Sequence, residues 1–415
     1  MSKQKNELVP ELRFPKFMRS PGWDAVYGNK AFEQVSNKDH NSDLPILAIT
    51  QEFGAIPREM IDYNVSVTEK SVQSYKVVDV GDFIISLRSF QGGIEYSEYK
   101  GLCSPAYVIL RNKEGIDKQF FKQYFKSKSF IRDLTKNLEG LRDGKMISYK
   151  QFSEVFLPKP LPEEQQKIAE CLASIDELII LHTQKLDVLK DHKKGLMLQL
   201  FPAEHETLPK LRFPEFRKIG EWRKSALSDV STIRSGSTPS RSNPEFYEGG
   251  EIFWVKTTDL NNSSITVTEE CVTSKAKIKV NAVGSVLVAM YGGFNQIGRT
   301  GILKVPAATN QALSVLSIDR KQVVPEYVLV WLNAKVGLWR KIASSSRKDP
   351  NITGSDVSNF PIYFPSIDEQ LKIVGCILAV EEMISEQSLK ISSLIAHKHG
   401  LIQKLFPVMD DFFNE

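Results

Sequence analysis

Along residues 161–202 and 366–407 the apolar positions recur in alternating steps of four and three. In the first stretch they are Ile168, Leu172, Ile175, Ile179, Leu186, Leu189, Leu196 and Leu200. In the second they are Ile373, Ile377, Val380, Ile384, Ile391, Leu394, Leu401 and Leu405. Sustained 4-3 spacing draws a narrow apolar seam along one side of a helix, the pattern of a two-helix coiled coil. Pro162 with Glu163 and Glu164 suits a first helical turn, and Ser366 with Glu369 has capping-box spacing. Phe201-Pro202 and Phe406-Pro407 then stop both helices. The seam is interrupted at matching places, by His182 and Gln387 and by Lys193 and Lys398. A polar seam residue costs stability but fixes register and partner, so the two helices are expected to pair with each other. From Ile168 to Leu200 such a helix is roughly 48 Å long at about 1.5 Å per residue. It reads as a spacer.

The two stretches are one unit written twice. Glu164, Gln165, Lys167, Ile168, Cys171, Gly195, Leu200, Phe201 and Pro202 all recur 205 places later without a gap. The segments between are duplicated more faintly. Each opens with PxLRFPxF…W, as Pro10 to Trp23 and Pro209 to Trp222, an extended segment expected to pack by its aromatics. Short β-rich runs follow: 46–50, 77–87 and 106–110 in one half, 252–256, 285–290 and 312–318 in the other. The run 81–97 aligns with 284–300, each an apolar strand leading into a Gly-rich loop. Each half then has an aromatic-rich helix (Phe120, Phe121, Tyr124, Phe125 and Phe130; Tyr327, Trp331, Leu332 and Trp339) whose helical spacing predicts a buried face. The expected class is α+β, with an internal pseudo-two-fold repeat: globular domains at 1–160 and 203–365, spacer helices at 161–202 and 366–407, and an acidic tail at 408–415.

Composition adds little except in how charge is divided. Of the net +4, +4 falls on 1–160 and +6 on 203–365, against −3 on the two helices and −3 on 408–415. Basic globules suggest a polyanion partner there, and the helices a protein partner or none. Cys103, Cys171, Cys271 and Cys376 have no zinc or disulfide spacing. No apolar run reaches membrane-spanning length and the start lacks a signal-peptide core, so a cytoplasmic home is expected. No Walker A loop, GxGxxG, HExxH or GxSxG occurs. Asn243-Pro244-Glu245-Phe246 approaches a methyltransferase tetrad but Glu245 spoils it, and Asp82…Glu98-Tyr99-Lys100 only loosely matches a nuclease site.

Two variable halves, each opening with PxLRFPxF…W and closing with EQxKI, a long helix and LFP, resemble the specificity subunit of type I restriction–modification systems. The segment 236–255, GSTPSRSNPEFYEGGEIFWV, is also similar to a target-recognition domain of that family. The resemblance covers nearly the whole chain. It implies two target-recognition domains, each reading one part of a bipartite double-stranded DNA site, separated by an antiparallel coiled coil. It also implies a non-catalytic chain that binds no cofactor. Two methyltransferase subunits would bring S-adenosylmethionine, and motor-nuclease restriction subunits would bring ATP and Mg. Because bases are read by Arg, Lys, Asn and Gln, and phosphates held by basic and hydroxyl groups, the residues favoured for the first half-site are Arg88, Ser89, Gln91, Lys100, Arg142 and Lys145. For the second they are Ser237, Arg241, Tyr291, Asn295, Gln296, Arg299, Arg347 and Lys348. Two other readings stay open on the residues alone: a protein scaffold without sequence-specific DNA binding, and a stand-alone nuclease or methyltransferase.

Overall fold

Both long helices form where the 4-3 pattern lies, over Pro162–Leu200 and Ile367–Leu405. The computed structural model describes residues 8–61, 69–136, 147–293, 295–344 and 351–409. Its contacts divide the chain into two units, Met1–Thr183 with Leu389–Glu415, and Gln184–Ser388. Each unit takes one β-rich globular segment and about half of each long helix.

Within each unit the helices pair antiparallel. In unit one Ile168, Leu172 and Ile175 are buried and Ile179 and His182 half-buried; from the second helix Leu405 is buried and Ile391, Leu394, Lys398 and Leu401 half-buried. In unit two Leu200, Ile373, Ile377, Val380 and Gln387 are buried, and Leu186, Leu189, Lys193, Leu196 and Ile384 half-buried. The seam lysines are not orphans. Lys398 Nζ donates to both oxygens of Asp176 at 2.6 and 2.8 Å, and Lys193 Nζ lies 2.6 Å from Glu381. Asp176 and Glu381 are repeat mates, as are Lys193 and Lys398, so one antiparallel register serves both units.

Unit one carries strands β1 Asp24–Tyr27, β2 Phe32–Val35, β3 Leu47–Thr50, β4 Gly54–Pro57, β5 Lys76–Val78, β6 Phe83–Ile85, β7 Glu95–Tyr96, β8 Gly101–Cys103, β9 Val108–Asn112 and β10 Phe156–Lys159. They make a four-stranded sheet in the order β2-β9-β6-β7 and the pairs β1-β10, β3-β4 and β5-β8. Unit two carries β11 Arg223–Ala226, β12 Ser231–Ser235, β13 Ile252–Val255, β14 Ser263–Ile265, β15 Glu270–Val272, β16 Val286–Ala289, β17 Thr300–Leu303, β18 Ala308–Thr309, β19 Leu313–Ile318 and β20 Pro361–Phe364. These make a five-stranded sheet β12-β19-β16-β17-β14, a three-stranded sheet β15-β13-β18 and the pair β11-β20.

The aromatic stretch expected as one helix is two in each unit, Lys118–Tyr124 and Lys128–Lys136 in one and Pro325–Ala334 and Val336–Ser344 in the other, and these stretches supply the cores. Phe120, Phe121, Tyr124, Phe125 and Phe130 are fully buried with Phe32 and Phe83, and so are Tyr327, Trp331 and Trp339 in unit two. The Phe of each LFP does more than end a helix. Phe406 stands 5.3 Å from the Phe120 ring and 5.4 Å from Tyr124; Phe201 stands 5.6 Å from Trp331 and 5.8 Å from Tyr327. Burying such a side chain contributes about 1.5–3 kcal/mol, so each helix end is anchored in the globular core of its unit.

The opening segments bolt on at the same end, across the last turns of one helix and the first turn of the other. Arg13 holds both oxygens of Glu164 at 2.7 and 2.8 Å, and Arg212 holds Glu369 at 2.8 Å through both Nε and Nη2. The neighbouring Gln165 is buried and fully used: its Oε1 accepts from the Asp117 amide, and its Nε2 donates to Gly115 and Pro160 carbonyls. Gln370 repeats this with the Val324 amide and the Gln322 and Pro365 carbonyls. Leu12 and Leu211 donate their amides to Lys404 and Gln199, repeat mates near the helix ends.

Candidate nucleic-acid interface

Strand order decides where the loops go. In unit two β12 and β16 both run antiparallel to β19, with Ser235 facing Ser314 and Ala289 facing Leu313. Both strands therefore end where β19 begins. Segments 236–250, 290–299 and 310–312 leave the sheet together, and with them Ser237, Arg241, Tyr291, Asn295, Gln296 and Arg299. In unit one Val35 faces Ile109 and Ile85 faces Val108, so 36–46, 86–94 and 104–107 share the equivalent end.

Two glycines make the unit-two loops possible. A Cβ on Gly236 would meet the Asn310 carbonyl oxygen at 2.2 Å as the chain leaves β12. Gly298 has φ +74°, and a Cβ there would stand 2.4 Å from Trp339 Cδ1. The β16–β17 hairpin, strands included, is also three residues longer than its β6–β7 counterpart. Gly81 and Gly284 begin the same step, but their amides donate to Ser97 and Leu303, sixteen and nineteen residues on. The ungapped alignment of 81–97 with 284–300 is corrected accordingly.

Arg88 and Gln91 are exposed on the unit-one loop, with the Arg88 carbonyl accepting from Gln51 Nε2 at 3.3 Å. Ser89 does not belong to that surface. It is 1% exposed, and its Oγ accepts the Ser86 amide at 2.8 Å, so the hydroxyl closes the turn from inside. Lys100 is misplaced as well. It sits 3.3 Å from Asp79, beside the Asp82–Arg111 clamp where β6 begins and β9 ends, the opposite end of the sheet from Arg88. Asp82 is buried and held through both oxygens by Arg111, and Glu98 pairs with Lys122 at 2.6 Å, so the loose nuclease spacing assembles no site. Among the described residues no group of His, Cys, Asp and Glu could hold a metal ion. Arg142, Lys145, Arg347 and Lys348 lie outside the described residues.

In unit two Ser237, Tyr291 and Asn295 are exposed, and Gln296 and Arg299 half-exposed. Arg299 Nε donates to the Asn295 carbonyl at 3.0 Å, which fixes the stem of its side chain. Arg241 is the most constrained of the set. Its Nη1 lies 2.7 Å from Glu270, and its guanidinium carbon sits 4.5 Å from the Tyr247 ring and 5.1 Å from Trp254. Hydrogen bonds from Arg241, and next from Lys256, hold the Glu270 carboxyl below the usual range.

Several side chains escaped sequence reasoning. Gln51 and the exposed Phe53 occupy the β3–β4 hairpin tip beside the Arg88 loop, and Arg58 follows β4 with a buried Nη1 that meets no acceptor among the described residues. Gly54 with φ +70° was the one available sign of a hairpin there. Tyr247, Trp254 and Glu270 were invisible as a group because β13–β15 pairing, not sequence distance, joins them.

The description "Type I restriction modification DNA specificity domain" matches residues 27–191 and again 219–391. The MjaVIII type I restriction enzyme specificity subunit of Methanocaldococcus jannaschii is 24% identical over 340 residues, covering 77% of this chain and 76% of that protein. The EcoR124I/EcoR124II specificity subunit of Escherichia coli is 23% identical over 57% of each. Among solved structures, a chain from work on complex assembly and conformational transition of the type I R-M system superposes with TM-score 0.61 at 19% identity, covering 93% of this chain and 98% of that one. The type I restriction–modification S subunit from M. genitalium gives 0.56 at 14%, covering 96% and 99%. Two copies of one domain, each closed by its own stretch of antiparallel helix and each gathering its loops at the same sheet end, account for a match in both halves: the chain belongs to the family of type I restriction–modification specificity subunits.

Proposed function

We propose that each unit reads one part of a bipartite double-stranded DNA target, and that the chain brings modification and restriction subunits to that target without catalysing either reaction. The observation that carries this is the shared frame with unlike loops. The same sheet end presents Arg88 and Gln91 in one unit, and Arg241, Tyr291, Asn295, Gln296 and Arg299 in the other, on loops of different length. A common scaffold with divergent surface loops is how one fold comes to recognise two sequences.

The chemistry then belongs to partners: two methyltransferase subunits using S-adenosylmethionine, and restriction subunits using ATP and Mg. Exposed apolar side chains beside the seam, Leu178, Ile180 and Leu181 in unit one and Leu371, Leu378 and Met383 in unit two, are the kind of surface a protein partner covers. Among the described residues no helix is long and apolar enough to cross a membrane, and the cytoplasm is where such an assembly meets DNA.

Selection from a random DNA library by the chain assembled with its methyltransferase subunits tests the reading. Two fixed blocks separated by an unread gap of constant length are expected. One contiguous block, or no enrichment, overturns it.

A further inference from the structure

The Arg241 corner is built more tightly than a surface arginine needs. Its side chain remains 56% exposed, yet three groups constrain it. Tyr247 and Trp254 meet edge to face at 5.8 Å and 69°, and the guanidinium lies against both. Strand register sets Glu270 directly opposite Trp254, and Glu270 takes Nη1. Lys256 in turn bridges Glu269 at 2.8 Å and Glu270 at 2.7 Å, which fixes the carboxylate. The aromatics also hold the loop from which Arg241 springs: the Tyr247 hydroxyl donates to Pro239 O at 2.7 Å, and the Trp254 indole to Ser237 O at 3.3 Å.

Nη1 turns one N–H toward Glu270, and the N–H groups of Nε and Nη2 meet no acceptor among the described residues. That pair forms one flat edge with two parallel N–H groups. It matches O6 and N7 of guanine in the major groove. A stacked, ion-paired guanidinium has already lost the rotamer freedom that an arginine otherwise gives up on binding.

We propose that Arg241 reads one guanine of the second half-site through its Nε–Nη2 edge, with Tyr247, Trp254 and Glu270 as positioning residues that aim it. The assignment rests on the reading that unit two contacts DNA. A phosphate would also accept from this edge, but a phosphate contact carries no base preference, and the test separates the two.

The test repeats library selection with the assembled complex carrying Arg241→Ala, Arg241→Lys, Glu270→Gln or Trp254→Phe, and records the thermal midpoint of each. The wild-type profile should show guanine fixed at one position of the second block. Arg241→Ala and Arg241→Lys should both lower that preference roughly tenfold or more, leave the first block untouched and barely move the midpoint. Glu270→Gln and Trp254→Phe should weaken the same position by a smaller factor. Uniform loss of affinity across all sequences, with a salt dependence shallower by about one ion, makes Arg241 a phosphate contact and overturns the proposal. An unchanged profile also overturns it. So does a fall in midpoint for Glu270→Gln without any change of base preference, which would make the corner merely structural. If the wild type selects no second block at all, the underlying reading falls and this assignment with it.

Discussion

Breaking the Arg212–Glu369 pair should cost unit two far more than a surface ion pair would. Arg212 is 9% exposed in its side chain and Glu369 1%, and the two meet through both nitrogens and both oxygens at 2.8 Å. Arg212 Nη1 also donates to the Gly220 carbonyl at 3.1 Å and to the Ile219 carbonyl. Arg212→Ala therefore leaves a carboxylate buried at the start of the second long helix with no partner, a loss of about 3–5 kcal/mol. For a unit the size of Gln184–Ser388 each kcal/mol moves the midpoint by about 2–4 °C, so its transition should fall by roughly 6–20 °C. The two units need not melt together, so calorimetry that resolves two transitions, or amide exchange read unit by unit, is the assay. Arg13→Ala should do the same to unit one through Glu164. The double variant Arg212→Met with Glu369→Leu should recover much of the loss, because it removes the stranded charge. Breaking the exposed Lys16–Glu163 pair is the control and should leave the midpoint in place. A loss below about 1 kcal/mol for Arg212→Ala, the size of a surface pair, would refute the reasoning.

Other consequences can be measured separately. One heptad inserted into each long helix, in phase with the seam, adds about 10 Å at about 1.5 Å per residue. At about 3.4 Å per base pair the unread gap should then grow by about three base pairs with both blocks unchanged; selection of the original gap from a library of spacings would mean the coil is not the ruler. Gly298→Ala forces a Cβ against Trp339 at a left-handed φ, costs about 1–3 kcal/mol locally, and should relax the second half-site while sparing the first. Burial pushes the Cys103 thiol up to about 12, so at pH 8 it should resist a thiol reagent until the protein unfolds, whereas early labelling of Cys103 in the folded chain would contradict its placement.

How much of this was legible depends on what kind of force set each feature. The 4-3 spacing reads directly as burial, because a helix side either faces its partner or faces water, and every seam position from Ile168 to Leu405 lies buried or half-buried. The aromatic helices were legible for the same reason. Polar bolts were not, although a signal existed. Arg13, Glu164 and Gln165 recur as Arg212, Glu369 and Gln370, and a shared structural duty accounts for charged and amide side chains at matching positions whose polar groups are buried. The loops were half legible. Polar residues after an apolar strand marked the equivalent sheet end in both units, but nothing local said that Ser89 turns inward or that β7 carries the chain back to Lys100 at the far end. The Arg241 corner depends on β13 and β15 lying side by side, a pairing between residues sixteen apart that sequence spacing does not announce.

The central claim is that the two units recognise DNA independently on one frame. The most direct measurement is a genome-wide map of methylated sites in cells expressing this chain with its methyltransferase subunits, repeated after residues 236–299 are replaced by the matching segment of another family member. The account predicts a split site whose first block and gap survive the exchange while the second block changes to a new sequence. A contiguous site, or an exchange that alters both blocks together, would contradict it.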